Sequence, residues 1–335
     1  MESIKGDAHV ASVELNCRCV AISCWEEATK STLWGLSRIS SRLKPLYADA
    51  TYKYAVAGEG VDVYIVDTGI FVQHEDFHGR ARHGYTAPGI TEGNKDLNGH
   101  GTHCAGIAAS STYGVAKEAA LVAVKVMDAA GSGLVSDAVA GIEYVYKEHV
   151  KGKRKSVMNL SFGVSEPNLA LERAVTAAVE SGINAAVAAG NNAGDACLVT
   201  PARVQSAITV TASTISDVIA DYANYGPCVD IVAPGSDILS TYIGSRDATA
   251  VLSGTSMAAP HVAGWVARYL SEPRDDIPIP RQVKAALQSS STKGVLYPVD
   301  GTLDLLVYAA CRGGTLQAQI GFRLLFTLGL IFVIL

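Results

Sequence analysis

Short apolar runs alternate with longer amphipathic stretches through most of the chain. The apolar runs have the length of strands and are rich in β-branched residues, which is typical of buried strands. They span residues 61–66, 121–127, 157–162, 185–189, 207–211 and 229–232. The amphipathic stretches have helical length and periodic apolar positions, and they span residues 136–149, 168–181 and 257–271. Strands that alternate with helices predict an α/β fold in which helices cover both faces of a mostly parallel central sheet.

The composition predicts one large folded domain with extensions. The chain has 335 residues, of which 49% are hydrophobic and 18% are charged, and this balance is too apolar for a disordered protein. Its formal net charge is −5. That charge excludes a nucleic-acid-binding protein that relies on bulk positive charge, so we expect no nucleic-acid partner.

The two ends of the chain carry weak targeting signals. No signal-peptide pattern is visible within residues 1–25, because polar and charged residues interrupt the apolar pieces. Residues 324–335 are almost wholly apolar, but a membrane-spanning helix needs roughly 20 such residues. The small residues Gly313, Gly314 and Thr315 precede this tail in the pattern of a lipid-anchor signal. Two interpretations stay open: a signal for membrane anchoring, or a disordered tail without that role.

Three segments place a reactive side chain at the end of a predicted strand or the start of a predicted helix. Asp67 follows the apolar run 61–66, His100 stands between two glycines, and Ser256 begins an apolar helix. Together they supply an orienting carboxylate, a general base and a nucleophile, which acyl transfer at neutral pH requires. Asn191 follows another apolar run, where its amide can donate to a developing oxyanion beside the Ser256 N–H.

With these motifs the chain resembles the subtilisin-type serine proteases, in particular their proteinase K branch. The resemblance begins near Trp34, in the segment WGLSRIS, and runs to about Tyr308. It implies an N-terminal extension at 1–33, a subtilisin-like catalytic domain of three-layer α/β/α architecture at 34–308, and a C-terminal extension with an apolar tail at 309–335. It also implies a serine endopeptidase that forms an acyl-enzyme and needs no cofactor for catalysis.

The resemblance assigns substrate contacts to three segments. Two of them match strands that pair with the substrate peptide, and the third matches a wall of the pocket for the residue before the scissile bond. They are Gly131, Ser132 and Gly133; Ser161, Phe162 and Gly163; and Ala188, Ala189 and Gly190. Because main-chain pairing depends only weakly on sequence, we expect broad specificity. Because no carboxylate occurs in the pocket wall to favour Lys or Arg, we expect a preference for apolar or aromatic residues at that position.

Further features are implied by the same resemblance. Cys197 and Cys228 match a disulfide of several relatives, which would require an oxidising compartment. Asp230 and the backbone carbonyls of Gln205 and Ala207 match the ligands of a structural calcium ion.

The resemblance also predicts the partners and the location of the protein. The expected partners are polypeptide substrates and a propeptide-type inhibitor, and the expected location is extracellular. The family propeptide is longer than the extension before Trp34, in which residues 10–16 are interpreted as a remnant of its last strand. The alternative function is therefore a catalytically silent or truncated subtilase scaffold that acts as a binding protein. Against this alternative, no member of the Asp67, His100 and Ser256 set is missing.

Overall fold

The computed structural model describes residues 25–29, 31–45, 51–152, 154–299 and 301–309. The strands are β1 (Trp25–Ala28), β2 (Thr51–Tyr54), β3 (Val61–Asp67), β4 (Ala81–Thr86), β5 (Ala120–Lys125), β6 (Lys155–Leu160), β7 (Asn184–Ala188), β8 (Ile208–Ser213), β9 (Ile231–Pro234), β10 (Ile238–Thr241), β11 (Thr249–Leu252), β12 (Thr292–Lys293) and β13 (Leu305–Leu306). The α-helices are α1 (Trp34–Ile39), α2 (His100–Ala109), α3 (Val135–Gly152), α4 (Leu169–Glu180), α5 (Thr255–Ser271) and α6 (Pro280–Ser290).

The central sheet confirms the predicted α/β architecture. Within the described ranges it contains nine strands in the order β12-β13-β9-β8-β7-β6-β3-β5-β4. Every neighbouring pair is parallel except β12 with β13. Two antiparallel pairs, β1 with β2 and β10 with β11, lie outside this sheet.

Alternating side chains of the buried strands divide the core into two layers. In β3, Val63 and Ile65 belong to the cluster that contains α2 and α5, whereas Tyr64 and Val66 belong to the cluster that contains α3 and α4. Successive side chains of a strand point to opposite faces of a sheet, so a strand covered by helices on both faces is apolar throughout. This is why the predicted strands appear in the sequence as continuous apolar runs.

The carboxyl ends of three adjacent strands meet at one edge of the sheet. Val66 of β3 pairs with Leu160 of β6, and Leu160 pairs with Val187 of β7. The residues that follow these strands, together with the first turns of α2 and α5, therefore project from the same edge. Ligands of parallel α/β sheets bind at such an edge.

The terminal segments that carried targeting and propeptide predictions lie outside the described residues. These segments are 1–24 and 310–335, which include the candidate propeptide remnant and the apolar tail. Among the helices of the described ranges, none combines the length and the apolar character that crossing a membrane requires.

Candidate active site

The imidazole of His100 is held by the carboxylate of Asp67. Asp67 is the last residue of β3 and is fully buried, and His100 is the first residue of α2. The His100 Nδ1 atom lies 2.8 Å from Asp67 Oδ1 and 3.0 Å from Oδ2. With a proton on Nδ1, the opposite ring nitrogen, Nε2, keeps its lone pair and is free to act as a base.

A glycine allows α2 to approach the end of β3 this closely. A Cβ atom at Gly101 would lie 2.2 Å from the carbonyl oxygen of Gly69 and 3.1 Å from the Cβ of Asp67. Any larger residue would push the helix away from the strand. The glycine after His100 is therefore part of the geometry that brings the imidazole to Asp67.

A second buried carboxylate, Asp96, fixes the loop that carries His100. Its Oδ1 accepts hydrogen bonds from Thr68 Oγ1, Asn98 N and Gly99 N, and its Oδ2 accepts from the N and Oγ1 of Thr102. It thereby joins the end of β3 to the first turn of α2. The helix dipole stabilises its negative charge at this position. Asp96 carries no recognisable signal in the sequence, since it stands in a polar stretch without periodicity.

The hydroxyl of Ser256 lies in the first turn of α5 and donates to the carbonyl of Ser161 at 3.0 Å. The backbone of Ser256 is adjacent to His100, because the buried thiol of Cys104 contacts both residues. Cys104 Sγ lies 3.3 Å from the Ser256 carbonyl oxygen and 4.0 Å from His100 Nδ1. In this conformation the Ser256 hydroxyl is bonded to Ser161 and not to the imidazole.

Two hydrogen-bond donors converge beside Ser256. The Oδ1 atom of Asn191 accepts from the N and Oγ1 of Thr255 at 2.9 and 3.0 Å, and these bonds fix the amide so that Nδ2 points away from Thr255. A Cβ atom at Gly254 would lie 3.4 Å from Asn191 Nδ2 and 3.6 Å from Ser256 N. The two donors thus face a common space that only a glycine leaves open, which is the arrangement of an oxyanion hole.

The charges around His100 set its protonation. Burial lowers the pKa of His100, but the adjacent Asp67 carboxylate outweighs this effect and raises the pKa well above the ordinary value of 6.5. Burial also raises the pKa of the Cys104 thiol, although His100 opposes that effect. Cys104 therefore remains a neutral packing group beside the imidazole.

A cleft of about 450 Å³ adjoins His100 and contains both predicted peptide-binding segments in its lining. These are Gly131, Ser132 and Gly133, from the loop between β5 and α3, and Ser161, Phe162 and Gly163, from the loop after β6. The cleft also has apolar lining residues, Val126, Leu134, Val135 and Leu171 among them. The lining thus combines polar and apolar side chains with two stretches of backbone, 131–133 and 161–163.

The predicted pocket-wall residues lie in the segment that leads from β7 to Asn191. Ala188 and Ala189 are buried, and Gly190 is partly exposed. They are not part of the lining of the 450 Å³ cleft. The Gly190 N–H donates to Thr255 Oγ1, so this segment is fixed against the start of α5.

The predicted disulfide between Cys197 and Cys228 is confirmed, with Cα atoms 5.3 Å apart. It joins the loop after β7 to the segment that precedes β9. Cys104 is a free cysteine of the described residues.

The predicted calcium ligands converge, but the group at their centre is the ammonium of Lys284. Lys284 Nζ lies 2.9 Å from the Gln205 carbonyl oxygen, 2.8 Å from that of Ala207 and 2.7 Å from Asp230 Oδ1. Burial raises the pKa of Asp230, and Lys284 opposes this effect. A calcium ion does not fit among these oxygens while the ammonium is there, because both need the same central position and repel each other. The residues present therefore do not fit the predicted calcium ion.

Comparison with known proteins agrees with this geometry. The sequence profile of the subtilase family, Peptidase_S8, matches residues 58–307. The chain is 51% identical over 292 residues to Subtilisin-like protease 3 of Saccharomyces cerevisiae, covering 82% of this chain and 61% of that protein. It is 48% identical over 303 residues to Cerevisin of the same yeast, covering 84% of this chain and 47% of that protein. The chain thus spans about half to three fifths of the length of these relatives.

A solved structure shows the same fold. It is the crystal structure of a cold-adapted subtilisin-like serine proteinase, which superposes with a TM-score of 0.76 at 40% sequence identity. The match covers 83% of this chain and 98% of that protein. The profile match, the sequence identities and the shared fold together establish that this chain belongs to the subtilase family.

Proposed function

We propose that the protein is a serine endopeptidase that cleaves peptide bonds through an acyl-enzyme. The observation that carries this proposal is the convergence of Asp67, His100, Ser256 and Asn191 at the sheet edge, with two oxyanion donors beside the nucleophile. The family is one of serine proteases that use no cofactor for catalysis. The chemistry below therefore needs only groups of this chain.

The first half of the reaction begins when the Ser256 hydroxyl turns from the Ser161 carbonyl towards His100 Nε2. His100 takes the hydroxyl proton as Ser256 Oγ attacks the substrate carbonyl carbon, and Asp67 stabilises the imidazolium that forms. The oxygen of the tetrahedral intermediate is stabilised by the Ser256 N–H and Asn191 Nδ2. His100 then gives its proton to the leaving amine, and the C–N bond breaks to leave an ester on Ser256.

The second half repeats these steps with water. His100 accepts a proton from a water molecule whose oxygen attacks the ester carbon, and the same two donors stabilise the second oxyanion. His100 then returns the proton to Ser256 Oγ as the ester bond breaks. The carboxyl product leaves, and the enzyme returns to its starting state.

The cleft supports peptide substrates bound in an extended conformation. The segments 131–133 and 161–163 line the cleft, and a peptide between them would pair with both through its main chain. Main-chain pairing is weakly dependent on sequence, so the proposed specificity is broad. The lining of the cleft includes Val126, Leu134 and Leu171 and no carboxylate, which supports a preference for apolar or aromatic residues before the scissile bond.

The proposed partners and location follow from the same site. A propeptide-type inhibitor would use the cleft that the substrate uses, because it must block the same segments. The disulfide between Cys197 and Cys228 supports folding in an oxidising compartment, and we propose that the protein acts outside the cytosol.

The test is hydrolysis of peptide anilides that carry Phe, Leu, Lys or Glu before the scissile bond. The proposal predicts cleavage, fastest after Phe or Leu, and loss of about 10⁶-fold in kcat on Ser256→Ala. Ser253→Ala is the matched control, since Ser253 Oγ accepts from Asp237 N and lies outside the triad. A folded chain that cleaves none of these substrates would contradict the proposal and favour the silent binding scaffold.

A further inference from the structure

A lysine side chain stands at the centre of three oxygens that come from distant segments. Two of the oxygens are the carbonyls of Gln205 and Ala207, just before β8, and the third is Oδ1 of Asp230, just before β9. Lys284 reaches them from α6. An ammonium group has three N–H donors, so these three bonds, all between 2.7 and 2.9 Å, use its full donor capacity.

The segments that supply these oxygens have further hydrogen bonds that do not involve the lysine. In the turn before β8, Ala207 N donates to the Val204 carbonyl at 3.0 Å. Asp230 Oδ2 accepts from Thr209 N at 2.8 Å, and the carbonyl of Asp230 accepts from Gln288 Nε2 at 3.2 Å. The side chains of Lys284 and Asp230 are only 19% and 17% exposed, so the cluster is largely shielded from water. Removal of the ammonium would therefore leave three fixed oxygens aimed at one point.

Two carbonyls and one carboxylate are the type of oxygen ligand that calcium binds. Calcium binds oxygens at about 2.3–2.6 Å, which is shorter than the nitrogen–oxygen distances here, so the set would have to contract slightly around a metal ion. Water would supply the remaining ligands, because the cluster is not fully closed. The donor set is thus a cation site, and the identity of the cation depends on the residue at position 284.

We propose that Lys284 is a built-in replacement for a divalent cation, and that the oxygens of Gln205, Ala207 and Asp230 form a latent calcium site that the lysine keeps closed. The ammonium joins α6 to the segments before β8 and β9, which is the role a metal ion would otherwise have there. Folding of this region consequently needs no metal.

An ordinary surface ion pair would behave differently. Such a pair contributes little to stability, and its removal creates no affinity for a metal ion. The present arrangement differs because two of its three partners are backbone carbonyls, which cannot move away without a change in the loop. The two interpretations are therefore separated by the calcium response of a variant that lacks the lysine.

The experiment measures thermal unfolding of the full chain in a Ser256→Ala background, which prevents self-cleavage. Each protein is measured with a chelator and with millimolar calcium. The unmodified Lys284 chain should have the same midpoint in both conditions. Lys284→Ala should unfold about 5 °C lower in chelator, and calcium should restore a large part of that loss in a saturable manner.

Two further variants serve as controls. Lys284→Met fills the centre with an uncharged side chain, so it should lose stability without responding to calcium. Lys147→Ala removes a lysine whose ion pair with Glu143 is exposed, and it should change neither the midpoint nor its calcium response.

Three results would overturn the proposal. They are a saturable calcium response of the chain that retains Lys284, a loss in Lys284→Ala that calcium does not restore, and a midpoint of Lys284→Ala no lower than that of Lys147→Ala. The first result is informative even if a Lys284 variant does not fold, because it needs no substitution at that position.

Discussion

Two regions of this molecule are each built around a carboxylate at the end of a central strand, and they differ in the cation that the carboxylate faces. Asp67 ends β3 and contacts the imidazole of His100, a side chain that can accept and return a proton. Asp230 precedes β9 and contacts the ammonium of Lys284. The ammonium of Lys284 directs its donors to three oxygens of the protein, so this contact joins segments of the fold.

The hydrogen bonds of the two regions differ in the same way. Around Lys284 each donor of the ammonium has a fixed partner, which is suited to holding segments together. Around His100 the carboxylates of Asp67 and Asp96 fix one side of the imidazole and its loop, whereas Ser256 is bonded to a carbonyl from which it can turn away. The candidate active site thus combines a rigidly held imidazole with a serine hydroxyl whose bond partner can change. The Lys284 cluster has fixed partners only, which suits a structural role.

Replacement of Asp67 by Asn should have the largest effect among the variants that leave the nucleophile Ser256 in place. Loss of the carboxylate favours the wrong tautomer of His100, and kcat should fall about 10⁴-fold, as is known for this change in serine proteases. The Asp67 charge also raises the pKa of His100, and activity requires the neutral imidazole. The acid limb of the kcat/KM profile should therefore lie above pH 6.5 in the unmodified enzyme and move to lower pH in the variant.

Asp62→Asn is the matched control for that variant. Asp62 lies in the same strand and is also buried, but it pairs with Arg154 at the other end of β3. Its replacement should leave the pH profile in place. A profile of Asp67→Asn that keeps its acid limb would contradict the assigned role of the carboxylate.

Replacement of Asn191 by Ala tests the electrostatic part of the site. One of the two oxyanion donors is lost, and kcat should fall about 10²- to 10³-fold with little change in KM, the range established for this donor in subtilisin. The neighbouring variant Asn192→Ala should retain activity, since Asn192 is bonded through its backbone N–H. An effect confined to KM would show that Asn191 binds the substrate rather than its transition state.

Replacement of Asp96 by Asn tests the hydrogen bonds that fix the His100 loop. It weakens these bonds without removing a reacting group. The amide keeps one acceptor but presents donors to the N–H groups of the His100 loop. We expect a loss of about 2 kcal/mol in the free energy of unfolding and of about 10-fold in kcat. Steady-state kinetics should show kcat falling while KM stays nearly constant. An unchanged kcat in a destabilised protein would reduce Asp96 to a structural role.

The sequence predicted the parts of the molecule that depend on local pattern. The strand 61–66 is predicted by a short continuous apolar run, and the helix 257–271 by its greater length and periodic apolar positions. The structure has both within two residues at each end. The predicted strand 157–162 ends earlier, at Leu160, since Ser161 turns its carbonyl to the Ser256 hydroxyl. Its last two residues therefore line the cleft.

The contributions of Asp96 and Lys284 could not be predicted in the same way. Asp96 stands in a polar loop and accepts five hydrogen bonds, four of them from residues 98–102. The fifth, from Thr68 Oγ1, forms only after the end of β3 and the start of α2 have come together, and a sequence does not show that contact. In the sequence, Lys284 has the pattern of a solvent-exposed lysine on an amphipathic helix. It stands more than 50 positions after Asp230 in the chain, so the sequence does not indicate their contact. The resemblance to the proteinase K branch identified the oxygens around its ammonium but not the lysine that lies between them.

The most direct test of the central claim is labelling of the native full chain with a fluorophosphonate probe, followed by mapping of the labelled peptide. Such a probe reacts with a serine only when a base and an oxyanion hole activate it. We expect stoichiometric labelling at Ser256, abolished in Ser256→Ala and greatly slowed in Asp67→Asn. A folded chain that takes up no label, or takes it up at another residue, would contradict the assignment of Asp67, His100 and Ser256 as a working catalytic triad.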